Sequence, residues 1–153
     1  MADDDATTVE RAGRLAVAAH AGQVDKAGNP YWTHPERVAR RVRELYPGAP
    51  DAAVATAWLH DVVEDTGVTE AELRDVFPAE VVDAVVALTR RPDVDADDYY
   101  ANIRAAGGIA LMAKHADIMD NLDAGRLASL EPSLAARLRE KYAKALVLLG
   151  LTG

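Results

Sequence analysis

The sequence predicts an all-α fold, a single helical bundle of about eight helices, on three observations. Half of the 153 residues are hydrophobic but only 5% are aromatic, and Ala supplies much of the apolar share, a mix that suits closely packed helices better than β-branched or aromatic strands. No segment sustains the period-two alternation of a half-buried strand. Three segments place Thr three residues ahead of Glu, the spacing at which a hydroxyl and a returning carboxylate satisfy a helix's first N–H groups.

The elements follow in order. Thr7 to Glu10 opens the first helix, which ends near Gly22, and Thr33 to Glu36 opens the second, which ends near Tyr46-Pro47-Gly48. Asp51 caps a third, running through Ala57-Trp58-Leu59 to about Asp65-Thr66-Gly67. Thr69 to Glu72 starts another, and Pro78 and Pro132 sit where a helix's first turn tolerates proline. Arg90 to Asp95 reads as a loop, Gly107-Gly108 separates a short helix around Tyr99-Tyr100 from one covering Leu111 to Leu122, and the last helix ends near Gly150. Residues 1–6 read as a flexible acidic start and 7–153 as one domain, long enough to bury a core.

Composition narrows the function. With 17 Lys+Arg against 25 Asp+Glu the net charge is −8 and the pI about 4.9, which repels a phosphate backbone at long range; nucleic acid and anionic membranes are not expected partners. The absence of Cys excludes disulfides, thiolate metal sites and thiol nucleophiles, so His20, His34, His60 and His115 carry any imidazole chemistry. No apolar run approaches the roughly 20 residues of a membrane span, and Met1-Ala2-Asp3-Asp4-Asp5 lacks the basic start of a signal peptide; a cytoplasmic location is expected.

The segment Trp58-Leu59-His60-Asp61-Val62-Val63-Glu64-Asp65-Thr66 carries the chemistry. On a helix His60 and Glu64, and Asp61 and Asp65, stand four apart, so four polar groups share one face while Leu59, Val62 and Val63 turn inward. Three of the four are carboxylates, a patch that wants solvent or a cation. A second helix lines Lys114, Asp117 and Asn121 on one face, and His34 sits at a helix start. Should these helices converge, His34, His60, Asp61 and Asp117 form a two-imidazole, two-carboxylate site for Mn²⁺, Fe²⁺ or Zn²⁺, whose open positions would hold a water with a pKa lowered toward roughly 7. A His-Asp pair alone is more often a cap or ion pair; joint occurrence at these spacings carries the reading. His20, among Ala16, Ala19 and Ala21, reads as a hydrogen-bonded core histidine, and His115 as exposed or packed.

Together with Ala19-His20-Ala21-Gly22-Gln23 and Gly28-Asn29-Pro30-Tyr31-Trp32-Thr33-His34-Pro35, these blocks closely resemble the HD-type hydrolase domain of the Rel/Spo alarmone family over residues 8–150. With no space for a synthetase domain or regulatory tail, the resemblance is to the small, hydrolase-only alarmone hydrolases. It implies an all-α HD-domain bundle that uses a metal, usually Mn²⁺, to remove the 3′-pyrophosphate of guanosine tetra- or pentaphosphate. It assigns the metal to His34, His60, Asp61 and Asp117, the orienting and deprotonation of the attacking water to Glu64 and Asp65, and substrate phosphate and sugar contacts to Lys114 and Asn121.

One position departs. Asp25 falls where many relatives carry a basic residue near the guanine base; an acid there removes cation–π stacking and repels phosphates, with Lys26 as the compensating substrate-binding cation. Alternatives keep the metal site but change substrate, to an adenine alarmone or the 2′-phosphate of NADPH. Others lose catalysis, as a nucleotide-binding module, or release phosphate as a generic HD phosphomonoesterase. The expected partner is a small nucleotide. A homo-oligomer and a role in neutralising a partner alarmone synthetase toxin stay open, as does resetting a starvation signal, because each would leave the same active site.

Overall fold

The computed structural model describes residues 6–151. The expected acidic start lies outside them except for Ala6, which is already buried. The described chain folds as α1 (Thr8–Ala19), α2 (Thr33–Leu45), α3 (Asp51–Leu59), α4 (Val62–Asp65), α5 (Glu70–Val76), α6 (Ala79–Leu88), α7 (Ala96–Ala106), α8 (Gly108–Asn121), α9 (Ala124–Ala128) and α10 (Pro132–Leu149). Eight of these have seven residues or more, and α4 and α9 are single turns added to the expected eight. Among the described residues the only strand-like pairing is one bridge between Val24 and Pro30, and no helix is long and apolar enough to cross a membrane.

Two of the Thr–Glu signals act as their spacing predicts. Thr7 Oγ1 accepts from Glu10 N–H, and Thr69 with Glu72 forms a complete reciprocal cap. The third does not: Thr33 is already helical, its hydroxyl donating to Pro30 O at 2.8 Å and accepting from Arg37 Nη1 at 2.9 Å. A turn delivers the chain into α2, so His34 N–H finds Tyr31 O at 2.9 Å and no hydroxyl is needed. Asp51 is likewise the first residue of α3, after Pro50, and caps nothing. At the far end of the chain Gly150 closes α10 in the left-handed conformation (φ +73°) that other residues resist, and Leu151 N–H then reaches back to Leu146 O.

α3 is the axis of the bundle, packing against α1, α2, α6 and α8. Ala53, Val54, Ala55, Thr56, Ala57 and Leu59 are all buried, so this helix has no solvent face and shows no amphipathic stripe. One core lies on its α2, α7, α8 and α10 side, around Val38, Val42, Ile103, Ile118 and Leu149. The other lies on its α1, α5 and α6 side, around Leu59, Val62, Leu73, Val81 and Val85. Burying each such side chain contributes about 1.5–3 kcal/mol. The small residues of α1 let it approach closely: a Cβ on Gly13 would lie 3.2 Å from the Trp58 ring.

The expected single helix through Asp65 is broken. α3 ends at Leu59, His60 and Asp61 form the joint, and α4 restarts at Val62. Leu59 and Val62 are fully buried on either side, so the core holds the joint in place and turns the two polar side chains between them into the bundle.

Candidate active site

Three helical segments deliver the polar groups: the first turn of α2, the α3–α4 joint, and the second half of α8. His34, His60 and Asp117 each offer a ligand atom within 4.8 Å of the others, and all three are buried. His60 Nε2 lies 3.0 Å from Asp61 Oδ2 and 3.3 Å from Asp117 Oδ1; His34 Nε2 lies 2.9 Å from Asp117 Oδ1 and 4.0 Å from Asp61 Oδ2. The four residues expected at the metal therefore meet at one point.

Both imidazoles are aimed from behind. His60 Nδ1 lies 2.6 Å from Ala57 O and His34 Nδ1 lies 2.7 Å from Asp120 Oδ2. A carbonyl and a carboxylate only accept, so each Nδ1 carries the proton and each Nε2 faces the site. His60 Nε2 is buried and forms no hydrogen bond, although two carboxylate oxygens stand close by. The His34 Nε2 to Asp117 Oδ1 spacing needs a proton or a cation between the atoms. Such a donor set fits a divalent ion. Burial opposes charge on both histidines, but Asp61 and Asp117 around His60, and Asp117 and Asp120 around His34, outweigh it and raise both above the usual range. Burial works against Asp61 too, yet the His60 ring pulls its carboxyl down to about 2.

Neighbours hold the carboxylates. Tyr31 Oη donates to Asp61 Oδ2. Lys114 Nζ lies 3.0 Å from Asp117 Oδ2, beside the Tyr99 and Tyr100 rings, and Asn121 Nδ2 donates to Asp117 Oδ1 at 3.2 Å. Lys114 and Asn121, expected at the substrate, thus also brace Asp117. Glu64 Oε1 accepts from Arg90 N–H at 2.7 Å. The Asp65 carboxylate has no hydrogen-bond partner among the described residues; its burial, Asp61 and Glu64 push it up to about 6.

His34, Asp61, Asp65, Lys114, Asp117 and Asn121 line one cleft of about 450 Å³, whose walls also include Lys26, Arg126, Lys141 and Tyr142, a volume suited to a nucleotide-sized ligand; His60 is buried beside it. The lining mixes carboxylates with cations, Lys114 standing on Asp117 and Arg126 on Asp25. His20 is the core histidine expected, fully buried with Nδ1 on Gln23 Oε1 at 2.8 Å, and His115 packs against Tyr46 through a 2.7 Å hydrogen bond. Tyr99 is also structural, its hydroxyl donating to Leu88 O.

Asp25 does not repel anions as expected. Its side chain is 5% exposed; Oδ1 accepts from Ala27 and Asn29 N–H, both at 2.9 Å, and Oδ2 accepts from Arg126 Nη1 at 3.3 Å. Burial is outweighed by these donors and the carboxyl is held below its usual range. Its role is to close its own loop and tether α9. Asp25→Ala should therefore cost about 1–3 kcal/mol and lower Tm by several degrees, measured by calorimetry; an unchanged Tm would contradict this role.

The sequence reading missed Tyr31, Gln23 and Asp120. Gln23 links His20 to the Asp65 carbonyl, to which its Nε2 donates at 2.9 Å. Asp120 stands one turn after Asp117, and the packed helices set it against the α2 face that carries His34, Arg37 and Arg41.

An HD-domain family model matches residues 12–106. The chain belongs to the HD-domain family. That match takes in His34, His60 and Asp61; Asp117 lies beyond it. Among curated relatives, this HD domain is 38% identical over 88 residues to a GTP pyrophosphokinase of Myxococcus xanthus, covering 58% of the chain and 11% of that protein. It is 41% identical over 76 residues to a guanosine-3′,5′-bis(diphosphate) 3′-pyrophosphohydrolase of Haemophilus influenzae (50% and 11%). It is 30% identical over 143 residues to a probable enzyme of the same name from Mycoplasma pneumoniae (82% and 19%). The chain spans about a tenth to a fifth of the length of these relatives. A solved structure described as a metazoan orthologue of SpoT that hydrolyses ppGpp matches with a TM-score of 0.81 at 21% identity, over 94% of this chain and 86% of that one. That likeness establishes the all-α HD fold.

Proposed function

We propose that residues 7–153 act as a hydrolase that removes the 3′-pyrophosphate of guanosine tetra- and pentaphosphate, giving GDP or GTP and pyrophosphate, with Mn²⁺ as the resident ion. The observation that carries this reading is the meeting of His34, His60, Asp61 and Asp117 beside a cleft lined by both carboxylates and cations. The two relatives named as guanosine-3′,5′-bis(diphosphate) 3′-pyrophosphohydrolases support the substrate.

His34, His60, Asp61 and Asp117 would hold a divalent ion, which would supply Lewis acidity toward a phosphoryl oxygen. The chain's own groups do the rest. Asp65, unpaired and raised, accepts a proton as water adds to the phosphorus attached to ribose O3′. The P–O3′ bond breaks and pyrophosphate is released; O3′ takes a proton from solvent water and Asp65 returns its own to solvent. Glu64, fixed on Arg90 N–H, orients the water that Asp65 deprotonates. Lys114 compensates phosphate charge from its seat on Asp117, and Lys26 and Asn121 line the wall against which the nucleoside rests.

The test is a product assay. Mn²⁺-loaded protein incubated with guanosine 3′-pyrophosphates, their adenosine analogues and NADPH should release pyrophosphate from the guanosine compounds first. Intact alarmone with phosphate released from NADPH would reassign the substrate, and tight nucleotide binding with no product from any of them would make the chain a binding module.

A further inference from the structure

Behind His34 lies a second charged centre, built around the fully buried Asp120. Asp120 on α8 is 0% exposed, which a lone carboxylate would not tolerate. Its oxygens are saturated: Oδ1 accepts from Arg37 Nε at 3.0 Å and Arg41 Nε at 3.1 Å, and Oδ2 accepts from His34 Nδ1 at 2.7 Å and Arg37 Nη2 at 3.2 Å. His34, Arg37 and Arg41 recur at three- and four-residue spacing, so one stripe of α2 is dedicated to this carboxylate. Arg41 also bonds Asp123, and Arg126 holds Asp25 while its Nε stands 3.9 Å from Asp120 Oδ2. Three arginines thus face three aspartates, and His34 is the one member that also reaches the candidate metal centre.

We propose that Asp120 is a positioning residue for metal retention: it fixes the His34 tautomer and ring direction, while Arg37 and Arg41 hold its carboxylate in place. His60 gets the same service from a backbone carbonyl, which cannot be mutated away; His34 depends on a side chain. This inference rests on a divalent ion binding at His34, and on no particular substrate.

The experiment is calorimetric titration of Mn²⁺ into wild type, Asp120→Asn and Arg41→Gln, well below each protein's Tm, with imidazole ¹⁵N–¹H spectra of the Zn²⁺-loaded proteins. Asp120→Asn keeps the shape and loses the charge. The expected result is a 10–100-fold weaker Kd and loss of the slowly exchanging His34 Nδ1–H signal. Arg41→Gln, which removes one donor and leaves Arg37, should shift the Kd in the same direction by less. Asp120→Glu should recover part of the affinity. Kd values within twofold of wild type, with only Tm lowered, would make Asp120 purely structural and overturn the proposal. Wild type that takes up no divalent ion would overturn both it and the metal reading, whereas metal uptake without alarmone turnover would overturn the substrate alone.

Discussion

His60→Ala should leave the protein without a bound divalent ion and lower pyrophosphate release by at least about a thousandfold, since the ion is asked to supply several kcal/mol of transition-state stabilisation. Two effects combine. The variant loses the one Nε2 at the centre of the cluster that no hydrogen bond occupies. It also leaves Asp61 and Asp117 facing each other with less positive charge between them, which lowers the benefit of every remaining donor. Asp117→Asn, nearly the same volume, should lose the ion as well, and it guards against blaming a cavity. Chelation of the wild type should reproduce the loss reversibly, and at a metal concentration near 100 Kd the loaded fold gains about 2.7 kcal/mol, an upward Tm shift of about 5–10 °C. Metal analysis, turnover and thermal unfolding check the three effects. His60→Ala that retains a stoichiometric ion and turns over within tenfold of wild type would remove the cluster from the chemistry.

That cluster was legible in the sequence because its members sit in short blocks whose identity does not depend on geometry. His34 before Pro35, His60 next to Asp61, and Asp117 in Lys114-His115-Ala116-Asp117 mark three positions, and the absence of Cys leaves His and carboxylates as ligands. The local frame was less legible. A helix through Asp65 is the simplest continuation of Ala55-Thr56-Ala57-Trp58-Leu59, and only tertiary packing of Leu59 and Val62 into one core shows that the chain breaks between them. Thr33 has capping spacing, but the preceding Tyr31-Trp32 turn takes over the task through backbone carbonyls. Asp25 was misread for a different reason: a charge placed by alignment says nothing about where it points, and here two N–H groups of its own loop and an arginine about a hundred residues away claim it. Asp120 was missed because its partners His34, Arg37 and Arg41 lie about 80 residues earlier on α2; the pairing exists only once α2 and α8 are packed.

Asp65→Asn should lower kcat by about 10²–10⁴-fold, the usual contribution of a general base, with KM changed little. The case for Asp65 over Glu64 is one of availability. Glu64 Oε1 is committed to Arg90 N–H, and its amide analogue keeps that acceptor, so Glu64→Gln should cost less than about tenfold. Asp65 lines the same cleft with no such commitment. It must be ionised to take a proton, and burial with Asp61, Glu64 and Asp117 pushes it up to about 6, partly offset by His60. Turnover should therefore fall as pH drops, with an acid limb at or below about 6, because a bound cation pulls the group down from that value. The limb belongs to Asp65, so Asp65→Asn should be slow and flat across that range, while Glu64→Gln should keep the wild-type profile. Profiles of kcat against pH for the three proteins at saturating Mn²⁺ measure this directly. An Asp65→Asn protein that retains the acid limb, or turns over within tenfold of wild type, would transfer the base to Glu64, whose release from Arg90 would then have to accompany substrate binding.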